Sequence, residues 1–258
     1  MRSTLRRLYG VFDAQLGLAP LKAVRSLKGV PRFLRDLRVF RSGYRGRLEL
    51  SPCLQNWYGE GGSAATEYFW QDLLVARQIF HASPERHVDI GSRVDGFVAH
   101  VATFREIEVF DILPNTTPIP GVVFRKADLM EPVEGMADYC DSMSCLHALE
   151  HFGLGRYGDP INPDGYRRGI ESMARLLKSK GILYLSVPLG EERVEFNAQR
   201  VFDPRALMKV ASENTLRATS LTLIRHGGTL ETILIEGEEL RRVAKERYVL
   251  GLFTFVKA

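Results

Sequence analysis

Short apolar runs alternate with longer amphipathic segments through the middle of the chain. Runs of strand length occupy residues 87–91, 107–112, 122–129, 139–146 and 181–188. Segments 67–79, 94–103, 166–177 and 204–212 repeat apolar residues at helical spacing, the last with Asp203 as a candidate N-cap. Strands that alternate with helices are parallel, because a parallel pair needs a crossover connection. The pattern predicts an α/β fold, Rossmann-like and doubly wound, around a mostly parallel sheet.

The C-terminal part of the chain has strand patterns without intervening long helices. Residues 217–224, 229–235 and 248–256 have the composition of β-strands, and the first two flank the turn residues His226-Gly227-Gly228. Strands joined by so short a turn are antiparallel. We therefore expect an antiparallel C-terminal edge on the parallel sheet.

The first 46 residues are strongly basic, with eleven Lys or Arg against two Asp, a net charge of +9 in a chain whose total is +4. Their apolar spacing predicts two amphipathic helices, broken near Pro20 and Pro31. These helices could pack on the body of the protein or bind an anionic membrane surface or a phosphorylated carrier. A transit peptide has a similar composition, and nucleic acid is disfavoured because no nucleic-acid-binding module is present. The predicted domains are a basic helical extension, 1–56, and a Rossmann-like domain, 57–258.

The composition of the 258 residues, 45% hydrophobic and 26% charged, is that of a globular protein. Three cysteines without a CxxC pair predict neither a disulfide framework nor a zinc ribbon. No apolar run reaches the roughly 20 residues that span a bilayer, and no secretory signal is expected. We expect a cytoplasmic protein, peripheral at the inner face of the membrane.

Residues 88–97, VDIGSRVDGF, have two glycines at the spacing of a nucleotide-binding loop. A P-loop requires Lys-Ser/Thr where Phe97-Val98 stands, which excludes a nucleoside triphosphatase of that type. In GxGxxG the middle glycine lets the backbone approach a dinucleotide pyrophosphate, and Arg93 occupies that position. The loop therefore favours an adenosine ligand without a pyrophosphate, of which S-adenosylmethionine is the commonest.

Acidic residues follow three successive predicted strands. Asp111 follows Asp89 by 22 residues, the spacing of an acid that binds ribose hydroxyls. Asp128 comes at the end of the third strand, where it could meet the adenine amino group. Because open α/β sheets bind ligands at the carboxyl edge of their strands, the three carboxylates predict a cofactor site.

This succession resembles the class I S-adenosylmethionine-dependent methyltransferases. The similar features are VDIG at 88–91, Asp111, Asp128, CLHALEH at 145–151 and GILYLSVP at 181–188. More narrowly, HALEHFGLGRYGDPINPDG at 147–165, EFNAQR at 195–200 and YFWQDL at 68–73 resemble the family catalogued as domain of unknown function 268, over about residues 57–257. Members of that family are associated with surface polysaccharide synthesis, so the resemblance implies a saccharide acceptor.

The resemblance also implies a set of cofactor-binding residues. Asp89 and Gly91 would lie on the methionine and ribose side, Asp111 at the ribose and Asp128 at the adenine, while the helix before the first strand would cover the site. The full predicted set is Tyr68, Gln71, Asp89, Gly91, Ser92, Arg93, Asp111, Ile112, Asp128 and Leu129.

Candidate catalytic residues, His147, Glu150 and His151, follow the fourth strand, the two histidines one helical turn apart. Methyl transfer to a hydroxyl needs an aligned acceptor and a base, and histidine is the usual base near neutral pH. The HxxEH spacing also occurs in zinc proteases. Because Gly153 and Gly155 interrupt the helix that such a metal site requires, no metal is predicted.

Two polar loops supply the predicted substrate-binding residues, one after HALEH and one after the fifth strand. Instead of binding a substrate, the first could simply be an ordered Ω-type loop, and the second could be a run of solvated charges. The predicted substrate-binding residues are Arg156, Tyr157, Asp159, Glu195, Asn197 and Arg200.

The sequence thus predicts an S-adenosylmethionine-dependent methyltransferase that O-methylates a saccharide or lipid-linked glycan. Two other functions stay open. A non-catalytic Rossmann-like binding module is suggested by Arg93 and Asp95, where most methyltransferases have glycines. An oxidoreductase that modifies nucleotide sugars is the other, and Arg93 disfavours it.

Overall fold

The computed structural model of the protein describes residues 20–54, 64 and 66–258. Contacts divide the chain into two units, Met1–Ser63 and Ala64–Ala258. The predicted boundary after residue 56 stays a prediction. In the first unit, helix α1 spans Pro20–Gly43. Among the described residues, none of the helices combines the length and the apolar character needed to cross a bilayer.

The second unit alternates strands and helices before it ends in antiparallel strands. Its elements are α2 (Glu67–Ala82), β1 (His87–Ile90), α3 (Ala99–Ala102), β2 (Ile107–Asp111), β3 (Val122–Lys126), β4 (Cys140–Leu146), α4 (Gly165–Leu176), β5 (Leu177–Leu189), β6 (Arg193–Glu195), β7 (Gln199–Val201), α5 (Pro204–Glu213), β8 (Leu216–Arg225), β9 (Thr229–Ile233), α6 (Glu238–Val243) and β10 (Val249–Lys257). A π-helical turn, Val94–Val98, precedes α3, and a 3₁₀ turn, Leu149–His151, follows β4.

Within the described residues, eight strands form one sheet in the order β3-β2-β1-β4-β5-β10-β8-β9. Strands β1 to β5 pair in parallel, whereas β10 pairs antiparallel with β5 and β8, and β9 pairs antiparallel with β8. This topology confirms the predicted mostly parallel, doubly wound sheet with an antiparallel C-terminal edge. The strand order reverses between β1 and β4, the point at which such sheets form a ligand crevice.

The core lies in two apolar layers, one on each face of the sheet. Ile170 and Met173 of α4 and Leu207 of α5 belong to one cluster, and Val75 and Ile79 of α2 belong to the other. Alternate residues of a strand face opposite sides of the sheet, so β10 sends Phe253 and Phe255 into the first cluster and Leu250 and Leu252 into the second. Both faces of the sheet are therefore covered, and the strand ends are left for a site.

Two helix predictions need correction. The predicted break at Pro31 is wrong, because α1 continues through this proline; proline lacks only one backbone N–H donor, and a helix with an exposed side can accommodate that loss by bending. The first helix predicted in the extension lies outside the described residues. The single helix predicted over 94–103 is interrupted, because Gly96 has a non-helical backbone (φ −129°, ψ −105°) between the π-helical turn and α3.

The polar segment after β5 is more ordered than its composition suggests. Residues predicted to be a loop form the β6–β7 hairpin, and α6 was not predicted. β5 also begins four residues earlier than predicted, at Leu177, which pairs with Cys140 of β4, whereas β10 pairs with residues 182–189. Conversely, the predicted cap of α5 is confirmed: Asp203 accepts a hydrogen bond from the backbone N–H of Arg205.

Candidate active site

A cavity of ≈ 320 Å³ opens at the carboxyl ends of β1, β2 and β4, beside the reversal of strand order. This volume is within the range of small-molecule sites. Apolar side chains form most of its wall, and carboxylates and histidines stand at defined points. The lining residues are Ile90, Gly91, Ser92, Arg93, Val94, Asp95, Phe110, Asp111, Ile112, Leu113, Ala127, Asp128, Leu129, Met130, His147, Ala148, His151, Phe152, Tyr157 and Asp159.

Gly91 makes the turn out of β1 into the cavity. Its φ of +65° is a left-handed conformation that favours glycine, and a Cβ there would lie 3.2 Å from the Cβ of Ala148. Its backbone N–H donates to the carbonyl of Phe110 over 3.0 Å. The bare backbone of this turn therefore forms part of the cavity wall between the ends of β1 and β4.

Asp89 lies beneath this turn rather than in the wall of the cavity. It is fully buried, and its Oδ2 accepts from the backbone N–H of Ser92 (2.9 Å). Its Oδ1 accepts from the hydroxyls of Ser92 (2.6 Å) and Ser144 (2.5 Å). Burial outweighs these hydrogen bonds and raises the pKa of Asp89 to about 6. Its carboxylate thus anchors the loop, and direct contact of Asp89 with a cofactor stays a prediction.

Asp111 and Asp128 lie in the cavity wall, as their positions after successive strands predicted. The Oδ1 of Asp111 accepts from the backbone N–H of Leu113 (2.8 Å), and the Oδ1 of Asp128 accepts from that of Met130 (2.9 Å). Asp111 has a second backbone hydrogen bond, with Ile112. Burial raises the pKa of Asp111. Each side chain is therefore held in place at the cavity wall by the backbone of its own turn.

Arg93, which replaces the middle glycine of the dinucleotide motif, lies at the rim of the cavity. Its guanidinium pairs with the exposed carboxylate of Asp95 (2.8 Å) and lies 5.3 Å from the ring centre of Tyr68. The side chain is more than half exposed, so it leaves the cavity floor open.

Helix α2 contributes two predicted residues in different ways. Tyr68 stacks on the imidazole of His147, with ring centres 4.6 Å apart. Gln71 is buried, accepts a hydrogen bond from the hydroxyl of Ser186 (2.5 Å) and donates to Asp72 (3.2 Å). The carboxylate of Asp72 in turn packs against Gly96, where a Cβ would lie only 2.5 Å from Oδ2. Gln71 and Asp72 thus join α2 to the sheet and to the loop after β1.

The enclosed side chains of His147 and Glu150 form a charged cluster above β4 with the partly exposed Glu67. The Nδ1 of His147 lies 2.6 Å from Oε1 of Glu150, and its Nε2 lies 3.5 Å from Oε1 of Glu67. Glu67 also accepts from the hydroxyl of Tyr248. Burial alone would lower the pKa of His147, but the two carboxylates outweigh it and raise this pKa to about 9. The imidazole is therefore charged at neutral pH.

Backbone geometry also sets this cluster apart. His147 has a φ of +55°, which is uncommon for a residue with a side chain. The side chain of Glu150 is fully buried, and among the described residues its Oε2 has no hydrogen-bond partner. Non-glycine residues in the left-handed region and unpaired buried carboxylate oxygens both cost free energy, and both concentrate at functional sites.

His151 occupies the adjacent wall of the cavity with a different set of contacts. Its Nδ1 lies 2.7 Å from the carbonyl oxygen of Ala198, and its Nε2 lies 3.8 Å from Oε1 of Glu150. The edge of Tyr157 approaches its ring at 5.6 Å between centres. Burial, with the nearby positive charge of Arg156, lowers the pKa of His151.

Of the predicted substrate-binding residues, Tyr157 and Asp159 line the cavity. Asp159 also organises its own loop, because Oδ2 accepts from the backbone N–H groups of Gly153 (2.8 Å) and Gly155 (3.1 Å). Arg156 is exposed and donates to the carbonyl of Ala198 (2.9 Å). The ordered-loop interpretation therefore describes this segment, and its contact with a substrate stays a prediction.

The other three predicted residues lie on or beside the β6–β7 hairpin, outside the cavity wall. Glu195 pairs with Arg193 (2.9 Å), and Asn197 is exposed at the hairpin turn. Arg200 is buried and donates to backbone carbonyls of the loop after β4, namely those of Glu150, Phe152, Asn162 and Pro163. The structure thus gives Arg200 a loop-holding position.

Sequence reasoning missed Glu67, Tyr248 and the carbonyl of Ala198. Glu67 and Tyr248 lie 181 residues apart, and no local motif links either of them to His147. A backbone carbonyl has no sequence signal at all. In the part of the chain that the structure describes, no group of three or more His, Cys, Asp or Glu is placed to hold a metal ion.

Comparisons with known proteins agree with this architecture. A family model described as "Caenorhabditis protein of unknown function, DUF268" matches residues 123–218. No curated protein sequence matches the chain.

The solved structures that share the fold include the following two. The Burkholderia thailandensis 1,6-didemethyltoxoflavin-N1-methyltransferase, crystallised with 1,6-didemethyltoxoflavin and S-adenosylhomocysteine, is 17% identical, with a TM-score of 0.51 over 72% of this chain and 78% of that one. The YcgJ protein from Bacillus subtilis is 14% identical, with a TM-score of 0.51 over 72% of this chain and 97% of that one. The chain therefore has the fold of the class I S-adenosylmethionine-dependent methyltransferases, with a segment that matches the DUF268 family.

Proposed function

We propose that the protein is an S-adenosylmethionine-dependent methyltransferase that acts on a hydroxyl of a saccharide or lipid-linked glycan. The observation that carries this proposal is the cavity at the strand ends, where Gly91, Asp111 and Asp128 meet His147 and His151. A cofactor crevice and a candidate proton acceptor thus share one space. The open cavity favours this function over a binding module whose site is filled by its own side chains.

The residues of the cavity fit an adenosine-containing cofactor. The carboxylates of Asp111 and Asp128, which line the cavity, suit ribose hydroxyls and an adenine amino group, and burial raises the pKa of Asp111. Phe110, Ile112 and Leu129 supply apolar wall for a flat base. Because Gly91 has no side chain, the cofactor can approach the backbone closely at this turn. S-adenosylmethionine would supply an electrophilic methyl group, and the residues after β4 would receive the acceptor's proton.

Polar groups around the cavity support a hydroxylated acceptor. Tyr157, Asp159 and the exposed Arg156 stand beside His151, and Asn197 lies on the hairpin turn next to Ala198. Hydroxyl, carboxylate, guanidinium and amide groups are the partners that sugars need. These contacts are part of the proposal.

The basic extension supports a membrane-bound acceptor. Helix α1 carries seven Lys or Arg and one Asp. Large apolar residues on the same helix are exposed, among them Leu27 at 67% and Val39 at 69%. Basic helices with exposed apolar residues bind anionic lipid surfaces. We place the protein in the cytoplasm, at the inner face of the membrane.

Isothermal titration calorimetry with S-adenosylhomocysteine tests the cofactor proposal on the full chain. We expect saturable binding at one site, and about ten- to hundredfold weaker binding to Asp111→Asn, because a hydrogen bond to a charged group contributes about 1.5–3 kcal/mol. Asp138→Asn, an exposed acid paired with Lys257, is the matched control and should bind as the wild type does. Absence of binding to the wild type at millimolar ligand would remove the proposal, and binding of NAD instead would favour the oxidoreductase.

A further inference from the structure

The two histidines after β4 present different ring nitrogens to their surroundings. His147 has a carboxylate near each nitrogen, Glu150 at 2.6 Å and Glu67 at 3.5 Å. His151 has a backbone carbonyl at Nδ1, and among the described residues the carboxylate nearest to its Nε2 is that of Glu150, at 3.8 Å. The two rings thus share one carboxylate, that of Glu150, but only His147 is enclosed by two.

We propose that His151 is the catalytic base of the methyl transfer and that His147 is held as an imidazolium that positions Glu150. This assignment rests on the proposed function and divides between two side chains a role that the sequence assigned to three residues together. It also brings Glu67 and Tyr248 into the site as the groups that hold His147.

The contact with Ala198 determines where the proton of His151 lies. A carbonyl oxygen only accepts hydrogen bonds, so Nδ1, at 2.7 Å, must donate to it. Arg156 donates to the same carbonyl over 2.9 Å and cannot accept. The neutral ring of His151 therefore keeps its lone pair on Nε2, and the ring lines the cavity. A base needs this arrangement of proton and lone pair.

His147 lacks a nitrogen that could take a proton from an acceptor. Nδ1 donates to Glu150, whereas Nε2 has no hydrogen-bond partner among the described residues and lies 3.5 Å from the carboxylate of Glu67. A carboxylate thus lies near each nitrogen and favours protonation of both, and the side chain is only 5% exposed. Tyr68 covers one face of the ring, and Tyr248 donates to Glu67. The imidazolium thus joins α2 and the residue before β10 to the loop after β4, and it fixes Oε1 of Glu150.

The charged and titratable groups around His151 support its role. Glu150 is 3.8 Å from Nε2, Arg156 is 3.4 Å from Nδ1, Tyr157 and His147 are further titratable neighbours, and Asp159 lines the same cavity. Burial lowers the pKa of His151, Arg156 and His147 lower it further, and Glu150 raises it. The ring is therefore neutral at physiological pH, ready to accept a proton.

The proton balance of the step is simple. When bound, S-adenosylmethionine supplies a methyl carbon on a sulfonium, and transfer forms an O–C bond as the S–C bond breaks with its electron pair left on sulfur. The acceptor's O–H bond breaks, and its proton forms an N–H bond at Nε2 of His151. The resulting imidazolium lies near Oε1 of Glu150, whose negative charge stabilises it.

Nuclear magnetic resonance of the full chain labelled with ¹³C and ¹⁵N in histidine tests the assignment without cofactor or acceptor. Of the six histidines, we expect one to keep both ring nitrogens protonated up to a pH of about 9. The resonances of this histidine should be missing from the spectrum of His147→Gln. A second histidine should be neutral at pH 7 with its proton on Nδ1 and should titrate below pH 6.5. Its resonances should be missing from the spectrum of His151→Gln. His81→Gln, on the exposed end of α2, is the matched control. The wild-type spectrum alone reports both states, so the test survives a variant that fails to fold.

His147→Gln also supplies a readout that a merely structural role would not move. Loss of its positive charge should raise the pKa of His151. A His151 that is charged at pH 7, carries its proton on Nε2, or titrates unchanged in His147→Gln overturns the assignment. If the wild type does not bind S-adenosylhomocysteine, the proposed function is overturned instead. The failure of the histidine assignment and the failure of the proposed function are therefore distinguishable.

Discussion

The guanidinium of Arg200 donates to the backbone carbonyl of Phe152 over 2.5 Å, and so joins the β6–β7 hairpin to the loop after β4. The carbonyls of Asn162 and Pro163 accept hydrogen bonds from its Nη2. Because Arg200 is 5% exposed, removal of its side chain would take a buried donor from the carbonyls of Phe152 and Pro163, while that of Asn162 would keep the backbone N–H of Gly165. The residue thus maintains one wall of the cavity through the backbone of this loop.

We expect Arg200→Met to lower the free energy of unfolding by about 3 kcal/mol, and Arg200→Lys, which can reach fewer carbonyls, to lower it by less. Chemical denaturation of both variants measures these changes. Arg217→Met, on an exposed position of β8, should change stability by less than about 0.5 kcal/mol. If Arg200→Met is as stable as the wild type, Arg200 does not hold the loop, and its predicted contact with substrate regains support.

Gly91 and Gly135 offer a matched pair for the loop after β1. Both have positive φ, +65° and +70°, but a Cβ at Gly91 would lie 3.2 Å from Ala148, whereas a Cβ at Gly135 would have nothing within 4 Å. We expect Gly135→Ala to cost about 1 kcal/mol of stability through backbone strain alone. Gly91→Ala should cost more, and it alone should weaken binding of S-adenosylhomocysteine in calorimetry. Equal losses of stability with binding intact in both variants would contradict this placement of the turn.

His87 should give the protein a measurable dependence of stability on pH. Its ring lies between the hydroxyls of Ser142 (2.8 Å) and Ser144 (3.1 Å), and burial lowers its pKa to about 3. His87 contributes fully to the free energy of unfolding above the unfolded-state pKa of about 6.5. This contribution is lost as the pH falls towards 3, because in that range only the unfolded state takes up the proton. Asp89 and Asp72, whose pKa values are raised to about 6, act in the opposite sense between pH 6 and 4.

Comparison with His87→Gln isolates the histidine from those carboxylates, because a glutamine amide can donate to one serine and accept from the other. Between pH 7.5 and 4.5, the wild type should lose about 2–3 kcal/mol more unfolding free energy than the variant. Urea denaturation at both pH values measures the difference. The exposed His81→Gln should follow the wild type, and parallel curves for the wild type and His87→Gln would contradict a buried neutral ring.

The membrane proposal for α1 has a direct test in vesicle sedimentation of the full chain. We expect binding to vesicles that contain phosphatidylglycerol, and weaker binding at high salt or with phosphatidylcholine alone. Replacement of Lys28, Arg38 and Arg41 by Gln should weaken binding more than tenfold, since each basic residue near an anionic surface contributes about 1 kcal/mol. Lys209, Arg217 and Lys245, exposed in the second unit, give a control with the same loss of charge. Equal effects of the two triple variants would contradict a specific role of α1.

Local pattern was enough to predict the sheet and its carboxyl edge. Apolar runs of strand length separated by helical spacing imply parallel strands, and Asp111 and Asp128, which follow two of them, lie in one cavity wall because parallel strands end at the same edge. Gly91 was predictable for the same reason, since it stands directly after β1. These features depend on residues close together in sequence.

Packing between distant segments decided the rest. Asp89 lies under the loop because Ser144, 55 residues later, donates to its carboxylate. Arg200 reaches four carbonyls that no sequence motif marks. Glu67 gives His147 its second carboxylate only because α2 packs beside β4, and this contact, with Glu150, makes the ring a cation. Sequence alone therefore determined which groups stand at the strand ends, whereas tertiary structure decided their protonation and their partners, because burial and hydrogen bonds depend on segments that meet only in the folded chain.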